Sequence, residues 1–534
     1  SHKARTYMLQ AGEQAEAAYD YERALAHYRR ALKLTSDDPR ACWEALARQE
    51  KALDVLSRRK DQADVLDEML HLAEALDDPV RRARTLCRLG GLEEAAGAPR
   101  QALAFLDDAA ELARRTGEKA LLVRCLTNAS RAHWRMGDLA RCQAAAEEAQ
   151  TLLHEVGNWQ DEGRLLNLLG GLHLGLTGDY ERALVYFDKY RALACERDDR
   201  YLEAIAQLNI GITRSVLGDY RLALEVLNEA LVFMIRVSDH YCEAAVRLGQ
   251  GNCYRGLGDL SRAQEAAEEA LSIFQEISDP NFESEALALL GLIAADREAY
   301  VEARDSFAQA LEVTQANKQQ WDAVIQRSHL ALILLRSGER EEAHRLADEI
   351  AHELEPLKER RAFLHTICFN IYQVFAAVED PALASPYLER AHRTLMDTAD
   401  RIKDFDLRRY FLENVPENRA IVLAHRLGCI PAPLKRCAVR LPSEAAPTGR
   451  PLRDDDYVEV VWTVAAPEDD QISGRVARRR HRILRLLQEA ADQSTAPTVA
   501  DLAAALDVSE RTIKRDLAAL RADGHEVQTR GARG

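Results

Sequence analysis

Apolar and small residues recur along most of the chain with a period close to forty. Aligning the segment Gly218-Asp219-Tyr220 with similar turns gives spacings of 39 to 41 residues over ten units. Apolar residues at i, i+4 and i+7 on both sides of each turn predict two amphipathic helices per unit. The aligned turn positions are Tyr19, Arg58, Gly97, Gly137, Gly178, Gly218, Gly258, Glu298, Gly338 and, with the weakest match, Glu379. The pattern therefore predicts a stack of helical hairpins.

Small residues also recur at fixed distances from these turns. An alanine follows five residues after most turns, as at Ala223, and a bulky apolar residue follows nine after, as at Leu227. Glycines lie seven residues before the turn in six units: Gly12, Gly90, Gly171, Gly211, Gly251 and Gly291. A small residue lets the two helices of a hairpin approach closely, so we assign these positions to packing and give none of them a chemical role.

The stretch from Leu208 through Gly218-Asp219-Tyr220 to Ala223 and Ala230 resembles the tetratricopeptide repeat, with about six residues more than its usual 34. The longer repeat is similar to that of bacterial signal-transduction regulators of the maltose-regulon activator type. The resemblance implies an all-α fold: a right-handed superhelix (α-solenoid) of nine to ten hairpins over residues 1–399. It also implies a concave groove that binds a protein, a peptide or a small ligand.

The pattern changes after the array. Residues 400–428 predict two capping helices, broken near Asn414-Val415-Pro416, and residues 429–474 predict a proline-rich linker. Within that linker, residues 457–464 alternate in polarity and predict one short β element. Its partner is open among residues 438–441, the terminal module and a second protomer.

The terminal module, residues 475–534, is basic. It holds 12 Lys and Arg against 8 Asp and Glu, a net charge of +4, in a chain whose total is −16. The pattern predicts three helices: one from about Arg478 to Ala491, one capped by Thr498, and one capped by Ser509 that ends near Gly524. Two short helices joined by a tight turn are typical of a helix-turn-helix. This segregated positive charge favours a nucleic-acid-binding module.

The segment Ser509-Glu510-Arg511-Thr512-Ile513-Lys514-Arg515-Asp516-Leu517 resembles the recognition helix of DeoR-type winged helix-turn-helix repressors. The resemblance implies contacts to double-stranded DNA from Ser509, Arg511, Thr512, Lys514 and Arg515, and a structural role for Asp516. In the run 478–482, Arg479 and Arg480 are expected either to clamp phosphates or to form a solvated helix start. Residues 525–530 resemble the start of the wing, which makes Arg530 and Arg533 further candidates.

Composition and missing motifs exclude other classes of function. The ten cysteines lack any C-x-x-C pair, and neither a secretory leader nor a membrane-length apolar stretch is recognisable, so we expect a cytoplasmic protein that does not bind membranes. The chain also lacks a phosphate-binding loop, a nucleophile elbow and a zinc-ligand pair. We therefore expect no enzyme and no catalytic, cofactor or metal site.

Two hypotheses follow. The leading one is a bacterial transcriptional regulator whose array senses a ligand while the terminal module binds DNA, with a change of superhelix pitch or a homodimer positioning two modules on paired half-sites. The alternative is a sensor or scaffold fragment of a larger STAND-type signalling ATPase, with the winged helix used for protein interaction. The start at Ser1-His2-Lys3 without Met leaves room for an upstream domain in either hypothesis.

Overall fold

Helices account for most of the chain, and they follow one another as antiparallel pairs. The computed structural model describes residues 2–35, 38–317, 319–354, 362–377, 381–430, 435–447 and 450–530. It divides into one unit of Ser1–Cys253 with Arg262–Asn418 and a second unit of Tyr254–Ser261 with Arg419–Gly534. Over the described residues, no helix combines the length and the apolar character needed to span a bilayer.

Twenty helices of the described residues form ten hairpins. The first helices of the hairpins are α1 (His2–Ala17), α3 (Pro39–Val55), α5 (Pro79–Ala95), α7 (Lys119–Met136), α9 (Trp159–Leu172), α11 (Arg200–Val216), α13 (His240–Leu257), α15 (Pro280–Asp296), α17 (Gln320–Ser337) and α19 (Leu364–Ala377). The second helices are α2 (Tyr21–Leu32), α4 (Arg59–Ala75), α6 (Pro99–Thr116), α8 (Leu139–Val156), α10 (Tyr180–Glu196), α12 (Tyr220–Val237), α14 (Leu260–Glu276), α16 (Tyr300–Ala316), α18 (Arg340–Glu353) and α20 (Pro381–Ala399). The predicted stack of hairpins is confirmed.

The corners between helices repeat at half the sequence period. A residue with positive φ ends successive helices at intervals of 20 or 21 residues from Ser57 to Glu298, and an aspartate often follows it as the N-cap of the next helix. Aspartates whose side chains accept capping backbone N–H groups are Asp20, Asp78, Asp138, Asp179, Asp199 and Asp279. One aligned turn is corrected: the left-handed residue of the second unit is Ser57 and not Arg58. Glu379 lies outside the described residues.

One spacing of 41 residues has a local cause. Between the turns at Gly137 and Gly178, α9 runs into a π-helix over His173–Thr177, which absorbs one extra residue. The insertion also shifts the glycine that faces the second helix. A Cβ at Gly170 would lie 2.4 Å from the Phe187 ring, whereas a Cβ at Gly171 would come no closer than 3.7 Å, to Trp134. The assignment of Gly171 to this contact is therefore wrong by one residue.

The other glycines make room for the bulky residue of the second helix. A Cβ would lie 2.3 Å from the Tyr28 ring at Gly12, 2.5 Å from Leu106 at Gly90 and 2.6 Å from Leu227 at Gly211. Tyr28, Leu106 and Leu227 are fully buried. The predicted close approach within each hairpin is thus confirmed, and it takes the form of a large side chain seated on bare helix backbone.

The first helices form the inner layer of the array. Helix α5 packs on α7, α7 on α9, and α17 on α19, while second helices of neighbouring hairpins lie farther apart among the described residues. This spacing makes the stack curve into a superhelix with the first helices on its concave side. Helix α19 is buried on every side from Leu364 to Phe375, so it offers no open inner face.

Successive turns of the superhelix touch each other. The Tyr19 hydroxyl accepts a hydrogen bond from the Arg200 backbone N–H at 3.1 Å, and the Tyr19 ring packs edge-on against Phe233. Arg401 donates to the carbonyl of Thr177 at 2.7 Å. These partners are 181 and 224 residues apart, so one turn of the superhelix takes about five forty-residue units.

Two short helices follow the array, α21 (Phe405–Glu413) and α22 (Pro416–Leu427). The predicted break near Asn414-Val415-Pro416 is confirmed. Asn414 donates to the carbonyl of Gly218 at 3.0 Å, and Phe411 is buried against Tyr180 and His365. Helix α21 therefore seals the flank of several earlier units and does not only cover the last one.

The second unit contains an antiparallel strand pair, β1 (Lys435–Pro442) and β2 (Tyr457–Ala465), with Val439 opposite Val460. Of the three open partners, the structure has residues 438–441. Three helices follow: α23 (Arg475–Ala491), α24 (Val499–Ala505) and α25 (Glu510–Ala522). Leu441, Val460 and Trp462 share one buried core with apolar residues of all three helices. Part of the predicted linker is therefore a second strand, and both strands belong to the terminal domain.

The neighbouring glycines of α9 give a matched stability test. Gly170→Ala should destabilise the array by about 1–3 kcal/mol, because the new methyl group collides with the Phe187 ring. Gly171→Ala should be neutral or stabilising by up to about 1 kcal/mol, since alanine is the better helix former and the space is open. Urea unfolding followed by circular dichroism measures both, and equal effects of the two variants would refute the assignment of Gly170.

Candidate functional site

The end of the second unit has the helix geometry expected from the sequence. Thr498 and Asp501 cap α24 reciprocally: the Thr498 hydroxyl accepts from the Asp501 N–H at 3.2 Å, and the Asp501 carboxylate accepts from the Thr498 N–H at 2.7 Å. Asp507, with a φ of +50°, turns the chain, and Ser509 caps α25. This places α24 and α25 one tight turn apart.

Helix α25 divides into a core face and an open basic face. Ile513, Leu517 and Leu520 are buried, as the sequence predicts. Arg511 and Arg515 are exposed and form no ion pair with any residue that the structure describes, and the exposed Lys514 lies 3.4 Å from Glu510. Three cations thus project from the N-terminal half of one helix.

Ser509 and Thr512 have a structural engagement beside these cations. The Ser509 side chain accepts from the Thr512 N–H at 3.3 Å, and the two hydroxyls lie 3.0 Å apart. Five of the eight predicted contact residues, Ser509, Arg511, Thr512, Lys514 and Arg515, therefore lie together at the start of α25, with Ser509 acting as the helix cap.

Arg479 and Arg480 lie elsewhere and are paired inside the unit. Both guanidinium groups bind the fully buried Asp516, Arg479 at 2.6 Å and Arg480 at 3.3 Å. Only 14% of the Arg479 side chain is exposed. The phosphate clamp is corrected for Arg479, because its charge neutralises a buried carboxylate, and the structural role expected of Asp516 is what the structure shows.

Arg530 is also engaged within the unit. Its guanidinium donates to the carbonyls of Ser443, Ala446 and Pro447 at 2.8–3.0 Å. Residues 525–530 contain no strand, so the described part of the predicted wing is irregular chain that Arg530 ties to the loop after β1. Arg533 lies outside the described residues.

A second buried carboxylate joins α23 to the strands. Asp469 is fully buried and accepts hydrogen bonds from Arg482 at 2.8 Å and from Arg485 at 2.8 and 3.0 Å. Burial alone would raise the pKa of Asp469, but the bonds from Arg485, the Ala466 N–H and Arg482 outweigh it and lower that pKa to about 2. Most of the basic run on α23 therefore serves folding.

The outer edge of β2 is paired by side chains of α23. Gln493 accepts from the Val461 N–H and donates to the Val461 carbonyl, both at 3.2 Å. Glu489 accepts from the Thr463 N–H at 2.7 Å, and Arg485 donates to the Thr463 carbonyl at 3.0 Å. These bonds occupy backbone groups that an edge strand would otherwise offer to another chain.

An open depression of about 420 Å³ adjoins the basic face of α25. Its lining includes Thr498, Lys514, Arg521 and Thr529. The Thr529 hydroxyl is buried without a hydrogen-bond partner among the described residues. Two cations and a spare hydroxyl group here suit an anionic group such as a phosphate.

The inner layer of the first unit carries a ladder of amide side chains. Asn209 on α11 donates to the Asn167 side-chain oxygen on α9 at 2.7 Å, and Asn128 on α7 lies 3.8 Å from the Cys87 sulfur on α5. Asn370 donates to Ser328 at 3.2 Å. Asn128, Asn167 and Asn209 are half-buried, so their remaining donors and acceptors face the groove.

Arginines flank this ladder, each held by a buried carboxylate. Asp161 binds both Arg124 and Arg164, Glu94 binds both Arg131 and Arg135, and Glu50 binds Arg88. The carboxylates are 0–3% exposed, whereas the five arginine side chains are 28–51% exposed. Sequence reasoning missed this set. A signal existed, because Arg84, Arg124 and Arg164 recur at intervals of forty residues.

Titratable groups in the described residues form no cluster of three or more His, Cys, Asp or Glu side chains that could hold a metal ion.

Residues 202–276, which cover α11 to α14, match the family described as tetratricopeptide repeat. The same hairpin recurs from α1 to α20. The first unit is a tetratricopeptide-repeat solenoid. Residues 438–533 match a family described as a protein of unknown function, DUF1670. That match takes in most of β1 and all of β2 with α23 to α25, in agreement with their shared core.

Several solved structures are similar to the solenoid at low identity. A Rap protein complexed with competence and sporulation factor is 13% identical with a TM-score of 0.47, covering 65% of this chain and 99% of that one. NprR in complex with its cognate peptide NprX is 15% identical with a TM-score of 0.42, covering 63% and 99%. BtubC from P. vanneervenii is 20% identical with a TM-score of 0.33, covering 41% and 92%. No curated protein matches the chain.

The low pKa of Asp469 predicts how acid acts on the terminal domain. A carboxyl group whose folded pKa lies near 2 and whose ordinary pKa is 3.8 stabilises the fold fully above pH 4. That contribution, about 2 kcal/mol, should be lost as the pH falls from about 4 to about 2. Hydrogen exchange of residues 457–491, corrected for intrinsic rates, should show this loss in the wild type.

Asp469→Asn provides the control for this measurement. It should lower protection already at pH 6, because Arg482 and Arg485 lose their buried partner, and it should flatten the change between pH 4 and pH 2. A variant with the same pH dependence as the wild type would contradict the assignment.

Proposed function

We propose that this chain is a transcriptional regulator in which the solenoid binds an extended peptide or protein segment and the terminal domain binds duplex DNA through α25. The observation that carries the DNA part is how the domain distributes its cations. Arg479, Arg480, Arg482 and Arg485 are spent on two buried carboxylates, while the cations of α25 stay exposed together. Folding accounts for the first group and not for the second.

The geometry of α25 suits a recognition helix. Its N-terminal half presents Arg511, Lys514 and Arg515 on one side, and that half of a helix is the part that enters the major groove in helix-turn-helix proteins. Arginine and lysine donate to guanine edges and to phosphates. The adjoining depression, with Lys514, Arg521 and Thr529, offers a seat for a backbone phosphate.

The peptide part rests on the inner amide ladder. An asparagine side chain carries both a donor and an acceptor, so it can match a peptide backbone irrespective of sequence. Asn128, Asn167 and Asn209 lie on adjacent first helices, half-buried and facing the groove. A concave surface of this kind is suited to an extended segment.

The triple variant Arg511→Ala, Lys514→Ala, Arg515→Ala tests the DNA part. Duplexes selected from a random pool with the whole chain should bind the variant at least a hundredfold more weakly in 0.1 M salt. The slope of log affinity against log salt should fall by about 2–3, since each lost phosphate contact removes about 0.9. Fluorescence anisotropy measures both.

A matched triple variant controls for net charge. Lys435→Ala, Arg440→Ala, Arg475→Ala removes three exposed cations from other elements of the same unit and should change affinity much less. Equal losses in the two variants would refute a specific role for α25. Failure of the whole chain to select any duplex would refute DNA binding and favour a protein-interaction role for the domain.

A random peptide library bound to the whole chain tests the groove. Asn209→Ala should weaken selected peptides about tenfold, because a backbone hydrogen-bond partner is lost from the inner ladder. Gln264→Ala removes an exposed amide from the second helix α14 and should leave binding unchanged. Isothermal titration measures both, and selected peptides that are indifferent to Asn209 would contradict this placement of the ligand.

A further inference from the structure

The arginines of the inner layer outnumber the carboxylates that hold them. Asp161, which is fully buried, accepts hydrogen bonds at 2.8 Å from Arg124 Nε on α7, from Arg164 Nη1 on α9 and from the Asn158 side chain. Two guanidinium groups therefore share one carboxylate, and in fact one oxygen, Oδ1. The site carries one uncompensated positive charge.

The guanidinium groups remain accessible despite this anchoring. The Arg124 side chain is 35% exposed and the Arg164 side chain 51%. Each uses one nitrogen to bind Asp161, and a guanidinium group has five N–H donors in a planar fork. The other donors are fixed in place and face the groove beside Asn128 and Asn167, which lie one helical turn along α7 and α9.

Neighbouring like charges mark the same surplus. Burial lowers the pKa of Arg164, and the charges of Arg124 and Arg88 lower it further against the opposing effect of Asp161. A bound anion would relieve this repulsion. The setting is also unusual for the chain as a whole, whose net charge is −16.

We propose that Arg124 and Arg164, oriented by Asp161, form an anion subsite of the groove that binds a carboxylate group of the peptide ligand. This inference rests on the proposed binding of a peptide in the groove and specifies its chemistry. The planar fork of arginine matches a carboxylate in two parallel hydrogen bonds, and two forks beside the amide ladder would fix both the register and the direction of the peptide.

Three labelled peptides distinguish the source of the carboxylate. They are a pentaglutamate with an amidated C-terminus, a pentaglutamine with a free C-terminal carboxylate, and a pentaglutamine with an amidated C-terminus, each carrying fluorescein at its N-terminus. Anisotropy with the whole chain should show at least one of the first two binding tenfold more tightly than the neutral third. Preference for the first assigns the subsite to an acidic side chain, and preference for the second assigns it to the peptide C-terminus.

Arg164→Gln is the decisive variant. It leaves Asp161 bonded to Arg124 and Asn158, so the fold should persist, which circular dichroism checks. The tenfold preference for the anionic peptide should disappear. The control Arg114→Gln removes an arginine of equal exposure, 50%, from its ion pair with Glu148 on the second helices α6 and α8, and should keep the preference.

The opposite results are equally readable. Equal affinity of the three peptides, a preference that survives Arg164→Gln, or the absence of binding by both anionic peptides at millimolar concentration would overturn the anion subsite. None of these results removes groove binding itself, since that function is judged by random peptides and by Asn209→Ala. Loss of library binding with retained pentaglutamate binding would have the reverse meaning.

Discussion

A constant helix length is the constraint on which the array depends. A left-handed residue ends each helix, and the next begins within two residues, frequently on an aspartate cap, so corners fall at intervals of twenty residues from Ser57 onward. Because the intervals are equal, side chains about forty residues apart meet on neighbouring first helices, as Asn167 and Asn209 do. One inserted residue would rotate all later side chains by about 100° on a helix. The π-helix at His173–Thr177 absorbs that residue and keeps the inner layer in register.

Buried carboxylates that each hold two arginines occur in both units, with opposite consequences. In the terminal domain Asp516 and Asp469 draw the arginines of α23 into the fold, and the cations of α25 are left as its exposed basic face. In the solenoid Asp161 and Glu94 fix arginines that stay accessible along the groove. Removing one arginine from such a pair is tolerable because the other still neutralises the carboxylate. Removing the carboxylate leaves two charges without a partner, which is far more costly.

The periodic parts of this structure could be predicted from the sequence, and the contacts between distant residues could not. The hairpins, the cap of α24 at Thr498 and the core face of α25 follow from local rules of spacing and capping. The offsets at Ser57 and Gly170 arise because a spacing of one residue is below what an ungapped alignment of similar units resolves. The partner of β2 and the carboxylate that holds Arg479 lie 20 to 40 residues away in sequence without a periodic relation to them. Only tertiary packing brings them together, so a basic run on α23 looked like a surface.

The contacts between turns of the superhelix set how a ligand in the groove could act at a distance. The bonds from Arg200 to Tyr19, from Arg401 to Thr177 and from Asn414 to Gly218 lie outside the hairpin cores. Each is worth about 0.5–1.5 kcal/mol, so opening the coil costs a few kcal/mol and unfolds no hairpin. A peptide bound at 1 μM supplies about 8 kcal/mol, which exceeds that cost. The coil can therefore shift between closed and open pitch on binding, provided that the ligand has a different affinity for the two forms. Contacts from both walls of the groove would create that difference, because the distance between the walls changes with pitch.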